Sequence, residues 1–402
     1  MIRMVIKFEV TDLKSAWKWN LCFGIIMVIV AAVISLLHIV GHILQRQMWG
    51  ERYRKLQRWM LVVNMASIFG LGVCWGRNYT GPVAELVLQA IAIWLMLQIF
   101  SIGLLAIALL IRYIYGRCRQ VPVDESRRKF AKGALVLPCI AAGASFYGSL
   151  VERNETVLRS YNVPIEKLGE KLEGFSIAQL SDIHLGPFFD LDMLQELLER
   201  TAKQQVDALV ITGDLFDNAG TTIKAAKLVD SYVERFPYGI YYCRGNHEHF
   251  RGIALLETAL AETRIHNLVN NHALVLQSER PLYIAGVDYP MQREQFQLLQ
   301  EAYTAMAMED IPSDAVKILL AHHPDFVQTA AKYNADLVLS GHTHGGQLGC
   351  LGIPLAPPVF KYMRGWYHEG NTALYVHCGN GSWFPFRLGC PPEIAIFHLK
   401  NK

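Results

Sequence analysis

The stretch Val210-Ile-Thr-Gly-Asp-Leu-Phe-Asp217 decides how the second half of this chain folds. The apolar and β-branched residues from Leu209 to Thr212 predict a buried parallel strand, which Gly213 ends. In open α/β sheets, ligands bind just beyond the carboxyl ends of the strands. We therefore expect the carboxylate of Asp214 to lie in a binding crevice.

Four other strand-like runs end in the same manner, near residues 180, 243, 320 and 339. Helical patterns lie between the strands, at 191–204 with Asp190 as its N-cap, at 223–234 and at 295–308. This alternation from residue 151 onward predicts an α/β domain. The five strand ends carry candidate ligands, namely Asp182, His184, Asp214, Asn246, His322, His342 and His344.

These seven side chains favour a metal site. Carboxylate, imidazole and amide oxygen suit borderline divalent cations such as Mn²⁺, Fe²⁺, Zn²⁺ or Co²⁺. Residues two apart in a strand point to the same side, so Asp182 with His184, and His342 with His344, would each aim two ligands at one site. Taken singly, an Asp after a strand or a Gly-Asp pair is typical of an ordinary turn. Five such motifs in order favour the metal site over five unrelated turns.

The first 150 residues differ in composition from the rest. The chain has 402 residues, of which 52% are hydrophobic and only 18% charged, and the apolar excess is concentrated here. Apolar stretches predict four transmembrane helices at 21–44, 59–75, 86–111 and 134–150. We thus expect a membrane region over residues 1–150 and a second domain over residues 151–402.

Basic residues near the predicted spans indicate their orientation. Twelve Lys and Arg residues lie in the loops after the first and third spans, against eight on the opposite side. Because basic loops stay in the cytoplasm, this count places the second domain on the extracytoplasmic side of the cell membrane. His38 and His42 share one face of the first span, where helix packing explains them better than a haem or metal site.

Charge and cysteine usage exclude other classes. A net charge of +3 gives no basic signature for nucleic-acid binding. The eight cysteines include no C-x-x-C pair, which argues against a zinc ribbon. Spacing leaves open whether Cys350 and Cys390 pair. It also leaves the oligomeric state undecided.

Residues 175–399 resemble the calcineurin-like metallophosphoesterases. The motifs that carry the resemblance are D-x-H at 182–184, G-D-x-x-D at 213–217, G-N-H-E at 245–248, a histidine at 322 and G-H-x-H at 341–344. The likeness extends to a membrane-anchored branch through a tail that comprises Leu374-Tyr-Val and the run from Pro385 to Glu393. One departure is Val376-His-Cys-Gly-Asn380, where a Ser-Arg-Gly-Leu-like run is more usual, and it leaves substrate preference open. The resemblance implies a four-layer α/β/β/α sandwich with a two-metal site.

The resemblance also implies roles for individual residues. The first metal would be held by Asp182, His184, Asp214 and His344, and the second by the bridging Asp214 with Asn246, His322 and His342. His323 is the alternative to His322. His247 matches the histidine that contacts substrate and protonates the leaving group, while Asp217 and Glu248 would orient their neighbours rather than bind metal.

Such a site is expected to hydrolyse a phosphomonoester, phosphodiester or pyrophosphate. Two metals lower the pKa of a shared water and clamp the phosphoryl oxygens for in-line attack. The apolar loop 348–367, with Lys361 and Arg364, would suit a substrate carried on a lipid, although it could equally pack on its own domain. The related UDP-diacylglucosamine hydrolases suggest lipid precursors, but they act on the cytoplasmic face, opposite to the orientation predicted above.

Two other functions are weighed against hydrolysis. An inactive metallophosphoesterase-like membrane receptor or scaffold would have lost ligands, yet every expected position is filled. A transporter would carry ionisable residues in several spans, and only His38 and His42 meet that description. The sequence therefore favours an anchored enzyme whose partners are a phosphoester and membrane lipids.

Overall fold

A computed structural model describes residues 28, 30–46, 54–76, 81–119, 136–166, 168–350, 353–355, 360–382 and 384–402. The chain divides into two compact units, Met1–Ser149 and Leu150–Lys402.

The first unit is helical. Its helices are α1 (Val30–Arg46), α2 (Arg54–Gly76), α3 (Pro82–Arg119) and α4 (Val136–Phe146), the last followed by a π-helical turn, Tyr147–Val151. Two segments, Arg54–Cys74 and Val83–Ile114, are long and apolar enough to cross a membrane, by length and composition alone. They coincide with the second and third predicted spans.

The first and fourth predicted spans do not have described helices as long as those of the second and third spans. Within the described residues, α1 has 17 apolar-rich residues from Val30 onward, and residues 21–27 and 29 of the predicted span lie outside the description. Helix α4 has 11 residues, because the α-helical pattern changes to a π-turn at Tyr147. About 20 residues are needed to span a bilayer, so the four-helix membrane region stays a prediction.

A buried polar cluster joins α2 to α3. The side-chain amides of Asn64 and Gln98 hydrogen-bond each other at 3.2 and 3.0 Å, and Trp94 Nε1 donates to Asn64 Oδ1 at 2.7 Å. Each polar group thus meets a partner within the helical unit, as apolar surroundings require.

The second unit contains two mixed six-stranded sheets. The first sheet has the order β1-β14-β2-β3-β4-β5, in which β14 and β2 are antiparallel and the other neighbours parallel. Its strands are β1 (Val157–Ile165), β2 (Ser176–Leu180), β3 (Ala208–Thr212), β4 (Ile240–Cys243), β5 (His266–Asn267) and β14 (Glu393–Asn401). Strands β2, β3 and β4 are buried along their whole length, as their continuous apolar runs predict.

The second sheet has the order β12-β13-β9-β8-β7-β6, with antiparallel pairs only at its two edges. Its strands are β6 (Asn271–Leu276), β7 (Leu282–Gly286), β8 (Val316–Leu320), β9 (Leu337–Ser340), β12 (Gly365–Glu369) and β13 (Thr372–Val376). A separate two-stranded hairpin is formed by β10 (Gly349–Cys350) and β11 (Ile353–Pro354).

Helices cover the outer faces of the sheets. They are α5 (Leu191–Ala202), α6 (Thr222–Asp230), α7 (Asn246–Arg251), α8 (Ile253–Ala261), α9 (Phe296–Met308) and α10 (Val327–Lys332). One apolar cluster packs α5, α6 and α8 on the first sheet, and another packs α9 and α10 on the second. A third joins inward-facing residues of both sheets, such as Val210 and Leu320. The layers therefore follow the order α/β/β/α.

Local signals fix several boundaries. The side chain of Asp190 caps α5 by accepting a 2.9 Å hydrogen bond from Met193 N, which confirms the predicted N-cap. The strands β2, β3, β4, β8 and β9 each end two to four residues before a candidate ligand. This places the candidate ligands in loops at the carboxyl edges of the two sheets.

Candidate metal centre

Hydrogen bonds bring the loops after the strands together. Asp182 N donates to Gly213 O at 3.1 Å, which joins the loops after β2 and β3. In the second sheet, Gly341 N donates to His322 O at 3.1 Å. His322 Nδ1 lies 2.8 Å from Thr212 O and so connects the two sheets. The candidate ligands therefore share one crevice.

The first cluster consists of Asp182, His184 and His344, all buried. The Nε2 atoms of His184 and His344 are 3.0 Å apart, and His344 Nε2 lies 3.5 Å from Asp182 Oδ1. One ligand atom from each residue lies within 4.8 Å of the others. These three donors could hold one cation.

The second cluster consists of Asp214, His322 and His342, with the same 4.8 Å limit between its ligand atoms. His322 Nε2 lies 3.1 Å from Asp214 Oδ2. The same carboxylate oxygen is 3.6 Å from His184 Nε2 in the first cluster. Asp214 therefore faces both clusters, as a bridging ligand must.

Asn246 begins α7, immediately after Gly245, and its Oδ1 is buried with no hydrogen-bond partner among the described residues. Buried polar atoms normally have partners, and a bound cation would supply one to this oxygen. A Cβ on Gly245 would lie 2.1 Å from Asp214 Oδ1, so only glycine permits this close approach.

Five of the predicted ligands have left-handed backbone conformations. The φ angles are 50° for Asp182, 51° for His184, 53° for Asp214, 72° for His342 and 50° for His344. Such strain in non-glycine residues is typical of functional sites. The angles show that the ligands do not continue the pleat of the preceding strands.

The two histidines of the G-H-x-H motif lie in different clusters. Asp182 and His184 do share a cluster, but His344 joins them whereas His342 joins Asp214. The reason is that β9 ends at Ser340, so the chain turns before either histidine. The grouping is the one that the family resemblance implies.

Asp217 connects two histidines. Its Oδ2 lies 3.2 Å from His184 Nδ1, and its Oδ1 lies 2.9 Å from His247 Nδ1. Arg251 Nε donates to Oδ1 at 2.7 Å. Asp217 thus orients a candidate ligand and the predicted catalytic residue at once. Arg251, on the last turn of α7, was not singled out from the sequence.

Glu248 holds the loop after β3 in place. The buried carboxylate accepts hydrogen bonds from four backbone N–H groups at 2.8–3.1 Å, those of Asp214, Leu215, Phe216 and Gly245. These hydrogen bonds hold the loop that carries Asp214 in place.

The neighbouring histidine, His323, has different surroundings from His322. Its Nδ1 accepts a 3.3 Å hydrogen bond from Asp325 N, and its ring packs against Phe296 at 4.8 Å between centroids. Burial and the charge of His322 lower the pKa of His323 to about 4. The structure therefore favours His322 over His323 as the ligand.

Charges within the crevice shift its pKa values. Burial alone would raise the pKa of Asp214, but the charges of His322 and His247 outweigh it and hold that pKa well below its usual range. Burial opposes protonation of His322 as well, yet the charges of Asp214 and Asp182 raise its pKa to about 10. For His344, burial and then the charge of His184 lower the pKa.

His247 is poised to carry a proton. Burial alone would lower its pKa, but the charge of Asp214 and the contact with Asp217 raise it to about 9. Its Nε2 lies 4.0 Å from Asp214 Oδ2, on the side of the crevice. At neutral pH, the imidazole therefore holds a proton beside the two clusters.

Arg387 is a neighbour of the site that sequence reasoning missed. The side chain is completely buried, and Nη2 lies 3.5 Å from His344 Nδ1. Its guanidinium also donates to the carbonyl oxygens of Cys378, Cys390 and Gly381. The tail from Pro385 to Glu393 carried the resemblance but gave no signal for this contact.

Aromatic rings line the second cluster and were also missed. The Tyr289 ring lies 5.9 Å from the His322 ring and 5.5 Å from that of His342. The Phe360 ring lies 5.2 Å from His342. Tyr289 follows β7, a strand that the sequence motifs did not connect with the site.

The donors fit divalent cations. Carboxylates, imidazoles and an amide oxygen form a set for borderline metals. Two clusters that Asp214 faces together, with the unpartnered Asn246 Oδ1 next in the chain to Gly245, provide for a pair of ions. The identity of the metal does not follow from these donors.

Comparison with known proteins defines the class. Residues 175–346 match the family Calcineurin-like phosphoesterase. The uncharacterised metallophosphoesterase YkuE of Bacillus subtilis is 30% identical over 287 residues, which cover 69% of this chain and 98% of that protein. The chain therefore belongs to the calcineurin-like metallophosphoesterase family.

A vertebrate relative matches more of the chain. The transmembrane protein with metallophosphoesterase domain of Danio rerio is 30% identical over 327 residues, covering 77% of this chain and 74% of that protein. Among solved structures, the NAD nucleotidase of Haemophilus influenzae aligns with a TM-score of 0.35 at 15% identity, over 52% of this chain and 46% of that one.

Proposed function

We propose that this protein is a membrane-anchored phosphoesterase that uses two divalent cations to hydrolyse a phosphomonoester, phosphodiester or pyrophosphate. One observation carries the proposal. Oδ2 of Asp214 lies 3.1 Å from His322 Nε2 and 3.6 Å from His184 Nε2, between the two candidate ligand clusters.

Each ion has its own set of residues. Asp182, His184, Asp214 and His344 would hold the first cation, and Asp214, Asn246, His322 and His342 the second. When bound, such a pair supplies Lewis acidity and an activated water for attack on phosphorus. Mn²⁺, Fe²⁺, Zn²⁺ and Co²⁺ all suit these donors.

The chain's own acid is His247. Asp217 fixes its Nδ1 at 2.9 Å, which leaves Nε2 directed toward the crevice. Because its pKa is about 9, His247 can donate a proton to a departing alkoxide near neutral pH. Such general-acid assistance typically contributes about 10²–10⁴-fold to the rate.

Apolar surface beside the site supports a lipid-linked substrate. Ile353 and Leu355, in the loop that leads to Phe360, are 67% and 57% exposed. The Phe360 ring adds apolar surface 5.2 Å from the His342 ring. The two basic side chains of this loop, Lys361 and Arg364, have partners within the domain. Lys361 lies 3.4 Å from Glu369, and Arg364 donates to Gly389 O at 2.8 Å. The proposal of a lipid-linked substrate therefore rests on exposed apolar side chains and not on basic ones.

Anchoring is supported by two apolar helices and by a relative named as transmembrane. An anchored domain meets membrane-borne substrate at a raised effective concentration. We further propose that the catalytic domain faces the extracytoplasmic side, on the basis of the basic loops predicted to stay in the cytoplasm.

The experiment uses the full chain, purified in detergent and loaded with Mn²⁺. Nucleotide, sugar-nucleotide and lipid phosphoesters are tested for release of phosphate or phosphomonoester. We expect activity that Asp214→Asn removes, since both ions lose a ligand.

Asp192→Asn is the matched control, because Asp192 is exposed on the first turn of α5, outside the crevice. It should leave the rate unchanged. Full activity in Asp214→Asn would refute the two-metal site. Absence of hydrolysis in a metal-loaded wild type would favour the receptor or scaffold.

A further inference from the structure

Two cysteines meet behind the first cluster. Cys378 lies two residues after β13, and Cys390 lies three residues before β14. Both are free, buried thiols, and both sulfur atoms lie against the same glycine, Gly345. Because β13 belongs to the second sheet and β14 to the first, this contact joins the ends of two strands from different sheets.

The thiol pair supports the loop that carries His344. Cys390 Sγ lies 3.4 Å from His344 O and 3.6 Å from Gly345 O, as a donor to both carbonyls. A Cβ on Gly345 would lie 2.5 Å from Cys390 Sγ and 3.1 Å from Cys378 Sγ. The backbone of Gly345 therefore rests directly on both sulfur atoms.

We propose that Cys378 and Cys390 form a redox-modification site, at which a reversible disulfide weakens the hold on His344. Hydrogen peroxide is the oxidant class. One sulfur attacks a peroxide oxygen and releases water, giving a sulfenic acid, and the second sulfur then displaces the sulfenic oxygen as water. Two thiols and one peroxide become one disulfide and two waters. Reduction by a dithiol reverses the change.

Disulfide formation removes the thiol proton of Cys390, and this affects the loop that carries His344. A disulfide sulfur has no proton, so Cys390 can no longer donate to the carbonyl oxygens of His344 and Gly345. An S–S bond of about 2.05 Å also draws the sulfurs closer than two thiols in contact, which moves the surface on which Gly345 rests. The effect on metal binding rests on the proposed function, whereas the disulfide itself does not.

The predicted location suits this chemistry. Disulfides form in oxidising compartments, and the extracytoplasmic side is one of them. The structure favours Cys378 as the disulfide partner of Cys390. Cys390 is a free thiol that lies with Cys378 beside Gly345. The side chain of Cys350, the other candidate partner from the sequence, lies outside the described residues.

Peptide mapping of the full chain tests the disulfide directly. After treatment with hydrogen peroxide and alkylation, trypsin should yield peptide 365–387 linked to peptide 388–400, and dithiothreitol should separate them. A link from 388–400 to 333–361 would instead identify Cys350 as the partner and overturn the proposal. Unlinked, fully alkylated peptides after peroxide would overturn it as well.

Equilibrium dialysis with Mn²⁺ alone tests the consequence. We expect oxidation to weaken one of two Mn²⁺ sites at least fivefold, with recovery after dithiothreitol. Cys390→Ser should make binding insensitive to peroxide, while Cys243→Ser, a change at a buried thiol on β4, should retain the sensitivity. Equal Mn²⁺ affinity in linked and reduced protein would overturn the switch. Linked peptides in a protein that binds no Mn²⁺ in either state would support the disulfide and refute the proposed function.

Discussion

His247 Nδ1 lies 2.9 Å from Oδ1 of Asp217, and the other oxygen of the same carboxylate lies 3.2 Å from His184 Nδ1. One side chain therefore sets the orientation of both a candidate ligand and the candidate acid. Its influence on protonation can be measured separately from its influence on metal binding.

Replacing Asp217 should shift the alkaline limb of the pH–rate profile. The pKa of His247 is raised to about 9, so the protonated acid is lost as pH rises through that value. Asp217→Asn removes a negative charge beside the ring, which lowers the pKa and moves the limb to lower pH. We expect kcat/KM at pH 9 to fall about fivefold relative to wild type, as a pKa lowered by about one unit requires. A limb that stays in place would show that His247 is not the acid.

Metal binding should release protons. His322 is protonated at neutral pH because its pKa is raised to about 10, and a cation can bind only the neutral ring. Affinity for Mn²⁺ should therefore rise about tenfold per pH unit between pH 6 and 8 for each proton displaced. Calorimetry in buffers of different ionisation enthalpy measures that proton count directly. Binding without proton release would exclude His322 from the second site.

Substitution of Gly245, which lies beside the Asp214 carboxylate, should weaken metal binding. A Cβ at Gly245 would lie 2.1 Å from Asp214 Oδ1, so Gly245→Ala must displace that side chain. We expect Mn²⁺ binding to fall at least tenfold, with a destabilisation of about 1–3 kcal/mol. Gly186→Ala is the matched control, because its nearest neighbour is 3.6 Å away and binding should be unchanged. Unchanged Mn²⁺ binding by Gly245→Ala would show that Asp214 does not bind metal in the position described.

The buried guanidinium of Arg387 should contribute strongly to stability. Arg387→Met leaves the carbonyl oxygens of Cys378, Cys390 and Gly381 without their donor, each at a cost of about 1–3 kcal/mol. The apparent melting temperature in detergent should fall, and occupancy of the first metal site should fall with it. Arg264→Met, at an exposed ion pair with Asp230, should change neither. An unchanged melting temperature would contradict this role.

The exposed apolar loop should matter only for lipid-borne substrates. Ile353→Ser combined with Leu355→Ser removes two exposed apolar side chains of the loop that follows the G-H-x-H motif. We expect KM for a phosphoester in mixed micelles to rise about tenfold, since each buried apolar side chain contributes about 1.5–3 kcal/mol and these are only partly buried on binding. Hydrolysis of p-nitrophenyl phosphate should not change. Leu298→Ser, at an equally exposed position on α9, is the control, and an equal effect there would argue against the loop.

Much of the site could be predicted because its signals are local. Apolar runs that end at Thr212 or Ser340 mark strands, and glycines with polar residues mark the turns that follow. The order of five such turns then identified the family. No local signal connected Tyr289 or Arg387 with the site, because their contacts come from a different strand and from the tail.

By itself, the sequence determined the alternation of strands and helices, the loops that carry the seven candidate ligands and the membership of a metallophosphoesterase family. Only the tertiary structure decided which residues meet. It brought Arg387 to His344, placed Tyr289 beside His342 and set Cys378 and Cys390 together against Gly345. The physical reason is that hydrophobic periodicity specifies which face of an element is buried. The direction of a side chain in a left-handed turn, and its partner across two sheets, depend instead on how distant segments pack.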